Sequence, residues 1–565
     1  MNLPPIRHFV KLSKDKNVDY RSTLYADTEG LRPEFTDSAT LQGTPETRCA
    51  IGLRIQNDDP GASALLADGA EYALESCEIK LLTNGDGKDA CDFVGLGSAV
   101  AAFNGAELTL TDCDIATTGV AKCALFCDGG DIVAKNCRMS VPGGTLYEGY
   151  INSADMNLMV APPWVLGIHG TARGINLLGK KASVALVDSE MTVTNWGALS
   201  TDNGADNLLT VADTSLTLTG TEKDRQNPFF KTYGSGYGTY ILGCHEELRG
   251  VEMNVGTYIG IARDGSAVYG SSKGMIRHVS PRTGKVLYEQ LGKGRISVLN
   301  SDGFGIMNHG WTDLTFTEGT ELNCVDAAFL CRAGGVKIRV EDGAKIRAEK
   351  GVLVQLIDDD DALVGVDWDN HDIELAFLTE FNEKEGWPSE NGQITSLMPP
   401  APPPPPPPED DEDEDDMPMP PPQFDVRFTA ENTDLRGNLF NGSGYYGQSA
   451  KQLYVELNTG AALTGTVSAT ETIHINENGE QNTHFTAEEY YYLGHVKNRP
   501  FYNGDNATEV RLNAGSRWTV TAEGILTAFT QMPGAEFVGR LRTDEGELTP
   551  ELGKTYTGKL SVLPL

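Results

Sequence analysis

The stretch from 196 to 311 concentrates the side chains that could do chemistry. WGALSTDNGADN (196–207) carries Trp196, Ser200, Asp202, Asn203, Asp206 and Asn207. YGSGYGTYILGCHEE (233–247) adds Tyr233, Tyr237, Tyr240, His245, Glu246 and Glu247. GTYIGIARDG (256–265) brings Tyr258 and Arg263, and GFGIMNHGW (303–311) brings Asn308, His309 and Trp311. His245 and His309 suit general acid or base work, because an imidazole titrates near neutrality. Asp202, Glu246 and Glu247 are further proton carriers. Arg263 suits a carboxylate or an enolate-like charge. The catalytic expectation is therefore His245, Asp202, Arg263 and His309. Aromatic faces accept the apolar side of a sugar or phenolic ring. Trp196, Tyr233, Tyr237, Tyr240, Tyr258 and Trp311, with Asn308, are the expected substrate-binding set.

Such residues must be held by something, and the rest of the chain says what. DGAEYALESCEI (68–79), NGAELTLTDCDI (104–115) and DGGDIVAKNCRM (128–139) align without gaps, at offsets of 36 and then 24 residues. Each has a turn dipeptide, alternating side chains, and a cysteine two residues before Ile or Met. Alternation at period two marks a strand, and a turn–strand unit recurring at this period marks a stacked solenoid. Equivalent residues of neighbouring coils then lie about 4.8 Å apart. Cys77, Cys113 and Cys137 are expected as an internal ladder of small fillers. The pattern continues at 182–194, 207–220, 335–356 and 510–529. EFTDSATL and TAEEYYYLG are the places for short helical turns.

The repeat of "GTYI" from Gly238 to Gly256 sets an offset of 18 residues. In that register Tyr240 stacks on Tyr258 and His245 lies beside Arg263. Glu246 and Glu247, being adjacent on a strand, point to opposite faces. APPWVLGIHGTARGINLLG (161–179) reads as a connection returning to the coil, with Trp164, His169 and Arg173; His169 is placed at the border of the groove. Trp368 and His371, in DWDNHD, have no assigned role.

The Gly-Ala-x-Leu turns, Thr/Val strands and coil spacing resemble the right-handed parallel β-helix, or pectate-lyase-like, superfamily, over roughly 45–375 and 425–565. The resemblance implies an all-β coil of right-handed sense whose sites lie on an outer strand face walled by loops. Polygalacturonase-type members are similar through an Asn-Thr-Asp segment, an aspartate pair, a His-Gly segment and an Arg-Ile-Lys segment. Ser200-Thr201-Asp202, His309-Gly310 and Lys345-Ile346-Arg347 are partial echoes. No aspartate pair lies between the first two, and Asp358 to Asp361 comes too late. A pectate-lyase-like site needs clustered acids for calcium plus a basic residue, and would draw on Asp202 and Asp206 for the first and Arg263 for the second.

One segment breaks the pattern. SLMPPAPPPPPPPEDDEDEDDMPMPPPQ (396–423) holds seven consecutive prolines, Pro402 to Pro408, and eight acids, Glu409 to Asp416. Proline lacks a ladder donor and the acids repel one another, so a linker or long loop is expected. The organisation is then a lead-in (1–44), a coil (45–395), this insert (396–423), and further coil or a small β domain (424–565).

Composition bounds the function. The 45 basic and 80 acidic residues give a net charge of −35. Nucleic-acid backbones and anionic membranes are poor partners for such a chain. No stretch reaches a membrane span, and the first twenty residues lack the apolar core of a signal peptide. As written, the chain is expected in the cytoplasm; with a signal already removed it would be secreted. The ten cysteines are too sparse for a disulfide scaffold. No nucleotide-binding or nucleophile-elbow motif occurs, so no organic cofactor is expected, with calcium left open. The expected partner is a saccharide or other small ring compound, and an elongated coil invites self-association. Two functional classes follow. One is a lyase, hydrolase or isomerase acting on a polyhydroxylated ring, or on a small phenolic ring. The other is a non-catalytic adhesin or carbohydrate-binding surface protein.

Overall fold

The structure, a computed structural model, describes residues 20–88, 92–150, 159–162, 166–201, 204–222, 224, 232–333, 335–358, 364–365, 425–444, 451–476, 478–481, 485–486 and 492–565. Asp202, Trp164, Trp368, His371 and the proline–acid run lie outside them. The described chain is an all-β parallel coil of three walls. One circuit shows the plan: Lys122–Asp128 forms the first wall, Asp131–Lys135 the second, and Arg138–Val141 the third. The next circuit stacks on it in register, Leu125 on Ile175, Ile132 on Val184 and Met139 on Met191. In Gly236–Arg249, Tyr258–Gly270 and Phe304–Phe316 a single bent strand serves both the first and second walls.

Alternation decides what fills the coil. Inward positions such as Leu108, Leu110, Val184 and Leu186 form one continuous core along the coil. Cys77, Cys113 and Cys137 are buried at one corner, and their thiols donate to backbone carbonyls. Their column continues as Ser189 and Thr214, whose hydroxyls accept from the amides of Cys137 and Ser189. A small side chain with a weak donor is what this corner selects. The short turns expected near the N-terminus are present at Pro33–Phe35 and Ser38–Thr40.

Among the described residues parallel pairing begins at Arg21, within the stretch read as a lead-in, where Arg21–Asp27 stacks on Ala62–Asp68. Beyond the insert, Val426–Ala430 pairs with Val336–Val340 and Asn438–Asn441 with Val352–Leu356. The coil therefore resumes where it stopped. At the C-terminus Thr555–Leu563 pairs antiparallel with Gly524–Gln531, closing an edge that would otherwise stay open.

The walls differ outside. The first wall is covered by turn segments and buries a second apolar cluster that includes Phe103, Phe126, Tyr237, Tyr258 and Phe304. The second wall is crossed by an antiparallel hairpin, Met275–Val279 with Val286–Leu291, which packs Ile276, Leu287 and Tyr288 on Val133, Ala185 and Val187. The third wall presents regular polar columns. Among the described residues no helix is long and apolar enough to cross a membrane.

Candidate functional site

The structure separates the residues that the sequence grouped. Tyr237, not Tyr240, lies opposite Tyr258, an offset of 21 residues, and His245 lies opposite Ser266. The "GTYI" register of 18 is overturned for a packing reason. In the observed register Tyr237 and Tyr258 both point outward, while Gly238 and Gly260 make room in the coil. A Cβ at Gly238 would sit 2.0 Å from Met253 Sδ, and one at Gly260 would sit 3.0 Å from Ile306 Cδ1. Tyr240 lies opposite Ile261 and packs on Tyr237 at 5.6 Å between ring centroids, and Tyr258 stacks on Phe304 at 5.8 Å. All three tyrosines are buried beneath the covering segments.

The other expected residues fall elsewhere. Arg263 sits in a bulge at the corner between the first two walls and is exposed. His309 and Trp311 share that corner, with Trp311 42% exposed. Asn308 is buried, and its amide donates to Gly310 O at 2.9 Å and to Thr312 Oγ1. His245 is past the bend, on the second wall, with Nδ1 2.7 Å from Ser266 Oγ and Nε2 3.6 Å from Glu247 Oε1. It is not beside Arg263. Tyr233 reaches the third wall, where its hydroxyl donates to Asn254 at 3.1 Å. Glu246 and Glu247 do point to opposite faces. Glu246 is fully buried inside the coil, and burial pushes its carboxyl up to about 8 against the lowering effect of the Thr239 hydroxyl. Glu247 is held below the usual carboxylate range by its hydrogen bond to His245, against burial, with Arg249 adding to it.

A different constellation does come together, around Asn195 and Trp196. Both have left-handed φ angles, 58° and 57°. Two successive non-glycine residues in that region, one of them a tryptophan, cost about 1–3 kcal/mol each. The turn sets Asn195 and Trp196 to opposite tasks. The indole of Trp196 lies under the guanidinium of Arg173, 4.2 Å from Cζ to the ring centroid. Arg173 is 2% exposed, pairs with buried Asp92 at 2.5 Å, and donates to Ser200 Oγ at 2.8 Å. Ser200 in turn meets the Tyr237 hydroxyl at 2.5 Å.

Asn195 turns the other way. Its amide donates to Asp224 Oδ2 at 3.0 Å, and Asp224 Oδ1 lies 2.7 Å from His169 Nε2. The Thr221 hydroxyl also donates to Asp224, at 2.8 Å. Asp224 is 1% exposed. Burial pushes its carboxyl up, but His169, Thr221 and Asn195 outweigh burial and hold it at about 2. His169 is fixed from behind as well: its carbonyl accepts from the Trp196 amide at 3.0 Å. Gly170, with φ 145°, lets this crossing happen, since a Cβ there would lie 2.5 Å from the Trp196 nitrogen.

His169 borders a cleft of about 490 Å³, lined also by Leu146, Tyr150, Thr171, Thr194 and Asn195. That volume is in the range of small-molecule sites. An imidazole backed by a buried carboxylate, in a cleft with an aromatic ring and two hydroxyls, can hold a polyhydroxylated ring and move a proton on it. Of the expected residues, Trp196 and Tyr237 belong to the packing behind this cleft. His169 was legible only as a border residue. Asp224 was missed, because EKDRQN around it carries no periodic or motif signal. Among the described residues no three His, Cys, Asp or Glu side chains gather as a metal site. No protein-family model matches the chain, and no curated protein matches it either.

Proposed function

We propose that the chain is an enzyme of the lyase, hydrolase or isomerase type that acts by acid/base chemistry on a saccharide held in the His169 cleft. One observation carries this reading: buried Asp224 stands 2.7 Å behind His169 at the cleft wall. A buried carboxylate orients an imidazole and stabilises its protonated form, the arrangement that acid/base catalysis needs. Tyr150 supplies a ring face, and Thr171 and Thr194 supply hydroxyls for sugar oxygens. The strained Asn195–Trp196 turn supports the same reading, because such strain persists where surrounding structure enforces a functional geometry. In this reading the coil is of the pectate-lyase-like kind, with its site on a loop-walled outer face.

The test is a panel of end-labelled neutral and uronate-containing oligosaccharides, followed by chromatography and by absorbance of unsaturated products. The wild type should convert at least one class. His169→Ala and Asp224→Asn should lose about 10²–10⁴-fold in turnover. Conversion unchanged in both variants would remove the dyad from the reaction.

A further inference from the structure

The third wall contains a break in its hydrogen bonding. In nine successive circuits, from Glu78 to Lys345, the amide that opens the third-wall strand donates to a corner carbonyl one circuit back. Examples are Asp114 to Cys77 at 2.9 Å, Glu190 to Cys137 at 2.9 Å and Lys345 to Thr320 at 2.7 Å. The next bond in the series would run from the Asp434 amide to the Ala344 carbonyl. There the Thr433 hydroxyl takes the carbonyl instead, at 2.6 Å. The wall accordingly divides into an eleven-stranded sheet ending at Lys345–Ala348 and a four-stranded sheet starting at Asp434–Arg436. The series recovers one circuit later, with Ala462 donating to Thr433 at 2.9 Å.

The break leaves a lined slot. In a parallel strand, alternate residues direct their peptide groups to alternate neighbours. Gly437 donates to Thr464, on the far side. The amides and carbonyls of Asp434 and Arg436 therefore face Ile346, across the break. A cleft of about 640 Å³ lies here, bordered by Lys345, Arg347, Asp434 and Arg436. Glu321 pairs with Lys345 at 2.7 Å and with Arg347 at 3.0 Å. Arg436 is exposed and ion-paired to no described acid. Three cations around one cleft stand out in a chain of net charge −35.

We infer that this slot is a binding site for a saccharide bearing a carboxylate or sulfate. The guanidiniums of Arg436 and Arg347 match a planar or tetrahedral oxyanion. The peptide groups facing the break supply donors and acceptors for ring hydroxyls. This site shares no lining residue with the His169 cleft and does not depend on turnover there.

The test is calorimetric titration of the whole protein at low salt with trigalacturonate and with neutral galactotriose. Saturable binding of the acidic trimer is expected, weakened at least about tenfold by Arg436→Gln and restored in part by Arg436→Lys. The part of the binding that Arg436→Gln removes should persist in His169→Ala. Thermal unfolding of each variant confirms that the coil is intact. No saturable binding, equal affinity for the neutral trimer, or wild-type affinity in Arg436→Gln overturns the inference.

Discussion

Two histidines, one on each covered wall, are supported by buried aspartates in different ways. His169 touches Asp224 directly and borders a cleft, with its side chain 28% exposed. His278 is fully buried beneath the hairpin on the second wall. Its Nδ1 lies 2.8 Å from Thr210 Oγ1 and its Nε2 lies 3.0 Å from Ser183 Oγ. Asp131 is one step removed: it accepts from Ser183 at 2.5 Å, from Ser280 at 2.9 Å and from Arg282 at 2.7 Å. Burial pushes His278 down to about 4, against the pull of Asp131 and Glu247. One histidine is held where a proton can be exchanged, and the other is held neutral as a fastener. Residue type does not separate these roles; access and the immediate partner do.

The largest expected effect breaks that comparison most directly. His169→Ala should cost about 10²–10⁴-fold in turnover with little change in unfolding. His278→Ala should leave turnover within about twofold and lower the unfolding midpoint, since it removes the buried hydrogen bonds to Thr210 and Ser183. Turnover on the identified oligosaccharide and a thermal melt read both variants. If the losses exchange places, the assignment of chemistry to the first wall is wrong.

The next effect concerns Glu246, inside the coil. Its folded carboxyl is raised to about 8 from 4.5, so the folded state holds a proton that the unfolded state has released. Stability is therefore full below about pH 4.5 and falls as pH rises toward 8, by roughly 4 kcal/mol. Glu246→Gln should abolish that fall, read as urea midpoints between pH 5 and 8. His278 acts with the opposite sign. Its folded value is depressed, so its contribution is present above about pH 6.5 and is lost as pH falls toward 4, by roughly 3 kcal/mol. His278→Gln should flatten this acid limb. A wild type whose stability does not change with pH relative to the two variants would contradict both placements.

The fold was legible because its signal is repeated. Alternation and the Cys77, Cys113, Cys137 offsets recur in circuit after circuit, and each repetition checks the last. The site was not legible, for the complementary reason. His169 and Asp224 belong to the turns that interrupt the repeat, and they meet only because the Asn195–Trp196 turn draws two such segments together. The "GTYI" echo misled because identical letters were matched. Packing inside a coil matches complementary volumes, with Gly238 and Gly260 yielding to the larger Met253 and Ile306.

The smallest expected effect sharpens the comparison from outside. Arg263, exposed in its bulge, and His245, on the second wall, lie apart from the Asn195–Trp196 turn in the observed register. An exposed charge away from a packed network contributes within about 0.5 kcal/mol to stability. His245→Ala and Arg263→Ala should each keep turnover within about twofold, and the double variant should show no more than the product of the two. Glu247 supplies an internal control, because His245 is the main cause of its lowered carboxyl titration. In His245→Ala the Glu247 carboxyl should titrate higher, by NMR, while the reaction is undisturbed. A tenfold loss of turnover in either single variant would move the chemistry from the His169 cleft to the residues that the sequence first singled out.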